Sequence, residues 1–453
     1  MKVALRFVIV FLVALSSFGF SLLGPYAPWM TAENGFQPGV GGPMQLGAGY
    51  RWNVPVVNYG FDDSFINFFG ERGVAAVEEA MRQLNSISTA DISTIPTSAV
   101  RLNFTAQSLG LIDMKSIAMS AALEQMGLGE ALRNIYVIRA ISKMPATTNY
   151  SVVQRNFDPA TYAPSDKLNG VRFTFDVHPF PDGTFDAIEV QINQAELINP
   201  GIAGTFFSPG QYAVNLTQDD VGGLRYLYAT NSFKMETLLP GIEPIDGALV
   251  NQAVRPGRGK ITFARQSFNF PNGAFEIVTN RFADIYLESG VLKTQYVRRV
   301  VTSPDIIFSA ADLGVDAASF PILLAKTPAS NWINNSALTG QPGEGPGVIA
   351  PSATVTFAKA LNVWGTFSSS AGYYNFDASS DRALPKLEVI SREATTLTLR
   401  LTGIKRKYTI STSTDFTTWS SVTTLSNETT TTFQVPLSGA APTFFRAVEG
   451  ALF

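Results

Sequence analysis

Residues 113–130 read D-M-K-S-I-A-M-S-A-A-L-E-Q-M-G-L-G-E. Ile117, Ala118, Ala121, Ala122, Gln125 and Met126 recur at three- and four-residue spacing, which predicts one amphipathic helix. Gly127 and Gly129 follow as a glycine turn, because glycine takes the left-handed conformation that ends a helix at little steric cost.

The same stretch resembles the active-site helix of metzincin metalloproteases, above all the matrixin branch, which often reads D-L-x-S-V-A-x-H-E-x-G-H-x-L-G-L-x-H. Asp113, Ser116, Ala118, Met126, Gly127 and Leu128 fall in register with that pattern. The positions that carry the chemistry do not. Ser120 stands at the first zinc histidine, Ala121 at the catalytic glutamate, Glu124 at the second histidine and Glu130 at the third. The chemistry needs two imidazoles one helical turn apart, a third beyond the glycine turn, and a glutamate to activate the zinc-bound water. Ala121 cannot take a proton and Ser120 is a poor zinc ligand. The resemblance therefore implies a protease scaffold with its active site erased, with no catalytic residue, no metal and no cofactor. Glu124 and Glu130 are expected to be solvated charges, with a weak calcium-type oxygen site as the alternative.

Composition supports that exclusion. The chain of 453 residues contains one histidine, His178, and no cysteine, so a site of several imidazoles, a thiolate metal site and a disulfide are all ruled out. His178 lies in the strand-like F-T-F-D-V-H-P-F and is expected to be an ordinary, partly exposed histidine. A hydrophobic content of 45% against 15% charged residues describes a globular chain with ample core, long enough for two or three domains. The net charge of -3 offers no basic field for nucleic acid.

The first 21 residues read as a secretory signal peptide: Lys2 and Arg6, a short apolar run, then the small residues Ser16, Ser17, Gly19 and Ser21. No other stretch is long and apolar enough for a transmembrane helix, so the mature chain is expected to have no stable membrane span. An exported chain without cysteine suits a bacterial source, and the expected location is secreted or at the cell surface.

After a Gly/Pro-rich lead-in, Val54, Val56, Val57 and Tyr59 predict a strand, with Pro55 marking an edge or a strand start. Residues 73–87 predict a helix lined by Ala76, Val77, Ala80, Met81 and Leu84, and residues 99–104 a core strand. This order, opening on Arg51-Trp52, again resembles a matrixin start. Residues 215–228, N-L-T-Q-D-D-V-G-G-L-R-Y-L-Y, resemble the closing helix of matrixin domains, L-[ST]-x-D-D-[IV]-x-G-[IL]-x-x-L-Y-G. Independently of the family, Thr217 is a good N-cap, and Asp219 and Asp220 sit where the helix dipole favours carboxylates. Two features depart from the pattern. Strands expected over 135–141, 150–157, 170–177 and 187–192 form a long insertion, and the stretch between the first two helices is too short for a complete sheet. Either the sheet is rebuilt from later strands or the resemblance is local.

The expected fold class is thus multidomain: an α+β metzincin-like domain over 22–234, a β-rich middle domain over 255–376 and a β-sandwich over 385–453. Pro/Gly-punctuated linkers are expected at 235–259 and 376–386. In the middle domain, Asp284, Asp305 and Asp312 read as surface or capping carboxylates, and residues 305–313 as containing a helical turn. Trp332 and Trp364 with Tyr373 and Tyr374 read as core or domain-interface aromatics, with a sugar-stacking surface as the alternative. The phrase Y-T-I-S-T-S-T-D-F-T-T-W, followed by T-F-F-R-A-V, resembles a C-terminal module of secreted bacterial proteins and implies a fibronectin-like spacer or sorting sandwich. Three function classes follow: an inert metzincin-like protein with a binding or cell-surface structural role, a hydrolase with an unrecognised carboxylate site, and a carbohydrate-binding or adhesive protein. The partner would be a cell-surface protein or a glycan.

Overall fold

The computed structural model describes residues 19–37, 39–87, 92–315, 322–326, 332–333, 347–360, 363–367, 373–375, 386–393, 395–414, 418–436 and 444–449. The expected leader before residue 19, the expected linker over 376–385, residues 341–346 of a Gly/Pro-rich loop and the side chains of Tyr373 and Tyr374 lie outside the described residues.

The chain is β-rich, with several sheets and few helices. Strand β1 is Phe20–Gly24, and β2, the Val56 strand expected from sequence, is Val56–Phe61. Helix α1 is Asp63–Ser86, N-capped by Asp62, whose carboxylate accepts the Phe65 N–H at 2.9 Å. It runs ten residues earlier than its apolar stripe suggested and is broken at Gly70. A five-stranded sheet is built around β2 from β3 (Thr262–Arg265), β4 (Ile306–Ala311), β5 (Leu324–Lys326) and β6 (Ala353–Ala358), in the order β3-β2-β4-β6-β5. The first four run parallel and β5 is antiparallel to β6. β2 is therefore central, not an edge, and Pro55 sits just before it, its carbonyl accepting the Thr262 N–H at 2.9 Å. The apolar face of α1 closes one side of the sheet through a run of aromatic contacts. Phe65 lies 5.0 Å from Phe61 and 4.9 Å from Phe69, and Phe357 lies 5.1 Å from Trp364.

This sheet overturns the expected boundary between a domain ending at 234 and another starting at 255. β2, from before residue 234, lies within it between β3 and β4, from after residue 255, and the core that covers it includes residues from Phe20 to Trp364. The expected linker over 235–259 is tied in as well. Strands Lys234–Thr237 and Gln252–Arg255 join a second sheet with the long hairpin Val278–Glu288 and Val291–Val301. Its buried charges are paired. Asp284 accepts from Arg255, Arg258 and Gln295, and Asp305 from Arg299 and the Asn58 N–H. These two aspartates are thus interior anchors and not surface carboxylates, and residues 306–311 form a strand instead of a helical turn. Trp364 is core, as expected, whereas Trp332 packs edge-on to Tyr50 at 5.1 Å.

The remaining units are smaller. β1 pairs with Gly42–Pro43, Leu128–Gly129 and Asn156–Phe157. Hairpins Tyr136–Lys143 with Thr148–Gln154, and Val171–Pro179 with Phe185–Gln191, form the expected β insertion. The expected core strand near residue 100 is only Val100–Leu102, with Arg101 and Leu102 exposed. The C-terminal unit has four antiparallel strands, Lys386–Arg392, Thr396–Ser413, Ser420–Pro436 and Phe444–Glu449. Register shifts bend its two long strands, which carry two apolar clusters around Leu399 and Ile410.

Phe20 and Ser21 are buried in β1, so a leader ending at residue 21 would cut into a paired strand. A chain that begins at Leu22 should be less stable than one beginning at Gly19, by about 3 kcal/mol or more for the lost Phe20 side chain. Equal melting of the two chains would show that β1 contributes nothing at that end.

Candidate functional site

Helix α2, Phe104–Ser108, precedes α3, Met114–Gln125. α3 is the helix expected over the motif, but it is not amphipathic in its setting: all of its residues are buried. Lys115, Ser116, Ser120 and Glu124 tolerate burial because each finds a partner, whereas the Gln125 side-chain nitrogen is buried without one. Lys115 Nζ donates to the Ala213 carbonyl at 2.7 Å, and Ser116 Oγ donates to Asp113 and accepts the Ala213 N–H. Asp113 caps the helix through the Ser116 N–H and also accepts the Phe367 N–H at 2.7 Å. Burial pushes its carboxyl above the usual range.

The C-terminal end of α3 is held by distant residues. Trp52 Nε1 donates to the Gln125 carbonyl at 2.7 Å, and Tyr228 Oη to the Met126 carbonyl at 2.8 Å. Gly127 has φ +96°, and a Cβ there would lie 2.1 Å from the Tyr50 carbonyl oxygen, so this turn accepts only glycine. Helix α4, Gln218–Tyr228, opens as expected at Thr217, whose N–H and hydroxyl both donate to Asp220. The two aspartates of its first turn do more than meet the helix dipole. Asp219 accepts the N–H groups of Gly19 and Asn169, and Asp220 those of Ile202 and Ala203. Burial raises both carboxyls, Asp219 strongly.

The Asp220 anchor fixes a loop that covers one half of the region around Ser120, Glu124 and Glu130. Gly204, at φ +71°, lies directly against Glu130, and the Thr205 carbonyl accepts the Ser120 hydroxyl at 3.0 Å. Ser120 is thus covered, and Ala121 is 1% exposed within the main core. The helix that lies along α3 is α1, while Tyr228 of α4 reaches the C-terminal end of α3.

The other half remains open. Glu124 and Glu130 line a cleft of about 490 Å³ together with the 35–43 segment and the turn of the second hairpin. Neither is a solvated surface charge. Glu124 is 8% exposed and ion-paired to Lys326 of β5, a residue that sequence reading passed over. Glu130 is half-buried, and burial followed by the nearby Glu124 pushes its carboxyl up to about 7. Arg133 donates to Asp186 at 2.7 Å and to the Gly35 carbonyl at 3.0 Å. No cluster of three or more metal-ligating side chains occurs among the described residues. His178 is exposed, its ring edge-on to Phe180, as expected of an ordinary histidine. A second, apolar cavity of about 330 Å³ lies between Leu84, Met126, Leu224 and Phe263.

Compared with protein-family models, with curated proteins and with solved structures, this chain matches none of them, which leaves the geometry of the cleft as the ground for a function.

Proposed function

We propose that this chain is an exported, non-catalytic relative of metzincin metalloproteases that uses the remnant of the catalytic cleft to bind a ligand. The observation that carries the reading is the ion pair between Lys326 and Glu124. Where the metzincin pattern would bring a histidine to a metal, this chain brings a carboxylate to its own ammonium group. A resident cation repels a metal ion and satisfies the carboxylate that could hold one. The burial of Ala121 supports the same reading, since a base at that position would need room for water and substrate. Further support comes from Arg51-Trp52 and the closing Asp219-Asp220 pair. Both resemble the matrixin pattern, and both hold the motif helix or its surroundings in place. The leader expected at the N-terminus and the β module at the C-terminus suit a protein displayed at, or released from, the cell surface.

Purified mature protein should contain no stoichiometric zinc, should leave casein and gelatin intact, and should melt at the same temperature with and without a chelator. One equivalent of tightly bound zinc with chelator-sensitive proteolysis would sink the proposal.

Glu130, held near neutrality, favours one other reading, that of a general acid in a hydrolase. Its nearest carboxylate, Glu124, is engaged by Lys326 and is poorly placed to serve as the second group. Hydrolysis of glycoside or ester substrates that is lost in Glu130→Gln would support this reading instead.

A further inference from the structure

Matching the charged groups of the cleft with their partners leaves one without any. Lys326 is taken by Glu124, Arg133 by Asp186 and the Gly35 carbonyl, and Asp182 by the N–H and hydroxyl of Thr184. Among the described residues, no hydrogen bond or ion pair reaches the Glu130 carboxyl, although it is half-buried and lines the cavity. Tyr26, Phe36 and Phe180 line the same space. The hydroxyl of Tyr26 is spent on the Gln37 carbonyl at 2.8 Å, so what these three residues offer a ligand is chiefly aromatic surface.

We infer that the cleft takes an organic ammonium group at the end of an alkyl chain, as on a lysine side chain or a free polyamine. The inference rests on the binding reading of the cleft given above. A half-buried carboxylate without a partner is destabilising until a cation desolvates with it, and aromatic faces attract the same cation through their quadrupoles. An anionic ligand would meet Glu130 and Asp182 with both local cations already engaged. A bare divalent ion would find a single free carboxylate beside the Lys326 ammonium. A flexible alkylammonium needs only one carboxylate and an apolar wall along its stem.

The test is calorimetric titration of the full mature chain with Nα-acetyl-lysine methylamide and cadaverine, using Nα-acetyl-norleucine methylamide as the uncharged control and calcium chloride as the metal control. Both amines should bind, and norleucine and calcium should not. Binding of the lysine derivative but not cadaverine assigns the site to peptide side chains; the reverse assigns it to free amines. Glu130→Gln should weaken amine binding about tenfold or more, while leaving the melting temperature near that of the parent because the carboxyl has no partner to lose. Phe180→Ala should weaken it less. Binding should strengthen as pH rises through about 7, where Glu130 loses its proton while the amine keeps its charge, and the profile should flatten in Glu130→Gln. Glu124, Arg133, Lys326, Asp182 and Asp186 surround the same space and remain unchanged in that variant. Equal affinity for norleucine, unchanged affinity in Glu130→Gln, or no amine binding would overturn the inference. None of these outcomes bears on zinc or proteolysis, so the pseudo-enzyme reading stands or falls separately.

Discussion

Replacing Arg51 with alanine should cost the protein on the order of 3–5 kcal/mol, the usual loss when one partner of a buried ion pair is removed. Arg51 is fully buried, and so is its partner Glu236. Its guanidinium also donates to the carbonyls of Leu227 at 2.7 Å, Ser232 at 2.9 Å and Arg255 at 3.0 Å. Leu227 lies in the last turn of α4, where a cation complements the helix dipole. One side chain thus joins the start of the central sheet, the end of α4 and the two strands that were expected to be a linker. Denaturant unfolding of Arg51→Ala should show the whole loss in one cooperative transition covering residues up to about the end of the central sheet. Arg51→Lys should recover only part of it, because an ammonium cannot reach four acceptors in a planar fork. Two separate transitions, or a loss under about 1 kcal/mol, would mean that the segments before and after residue 235 fold independently. Limited proteolysis offers a second check: residues 235–259 should resist cleavage, since their strands are paired and Arg255 is buried among them.

Ala121→Glu should also be damaging, costing on the order of 2–3 kcal/mol. In a metzincin the glutamate at this position faces an open site. Here Ala121 of α3 lies in the main hydrophobic core. The loss should depend on pH with a definite sign. Burial raises the introduced carboxyl above its unfolded value, so the folded state holds the proton more tightly than the unfolded one. The penalty is then smallest below the unfolded value near 4.3 and grows as pH rises towards the folded value. Ala121→Gln, which adds the same bulk without the charge, should be flat over that range. A thermal melt series from pH 4 to 8 reads both. If Ala121→Glu melts with the parent at every pH, the loop over Ser120 opens in solution and that half of the site is not closed.

That the zinc-binding residues of the metzincin pattern are missing from residues 113–130 was legible in the sequence because it is a matter of residue identity. Ser120 and Ala121 lack the chemistry in any fold, and one histidine in the chain cannot make a zinc site. The motif helix, its stop at Gly127, the Thr217 cap and the strands of the insertion were legible for a related reason. Periodicity and capping act over a few residues, so they are written in adjacent positions. The linker at 235–259 was misread by the same local logic. Proline and glycine do punctuate that stretch, but its strands pair with each other and with the hairpin over 278–301. Asp284 and Asp305 carried no local mark of burial either, because their arginine partners are brought to them by the sheet.

Residue identity and local spacing therefore gave the motif helix, its caps and the strands of the insertion, and showed that the zinc histidines of the metzincin pattern are missing. The tertiary structure alone decided that β2 would be flanked by strands some two hundred residues away, that Asp220 would hold a loop over Ser120, and that Lys326 would meet Glu124. Those contacts are set by how sheets and helices pack, and a contact between remote segments leaves no trace in the spacing of either one.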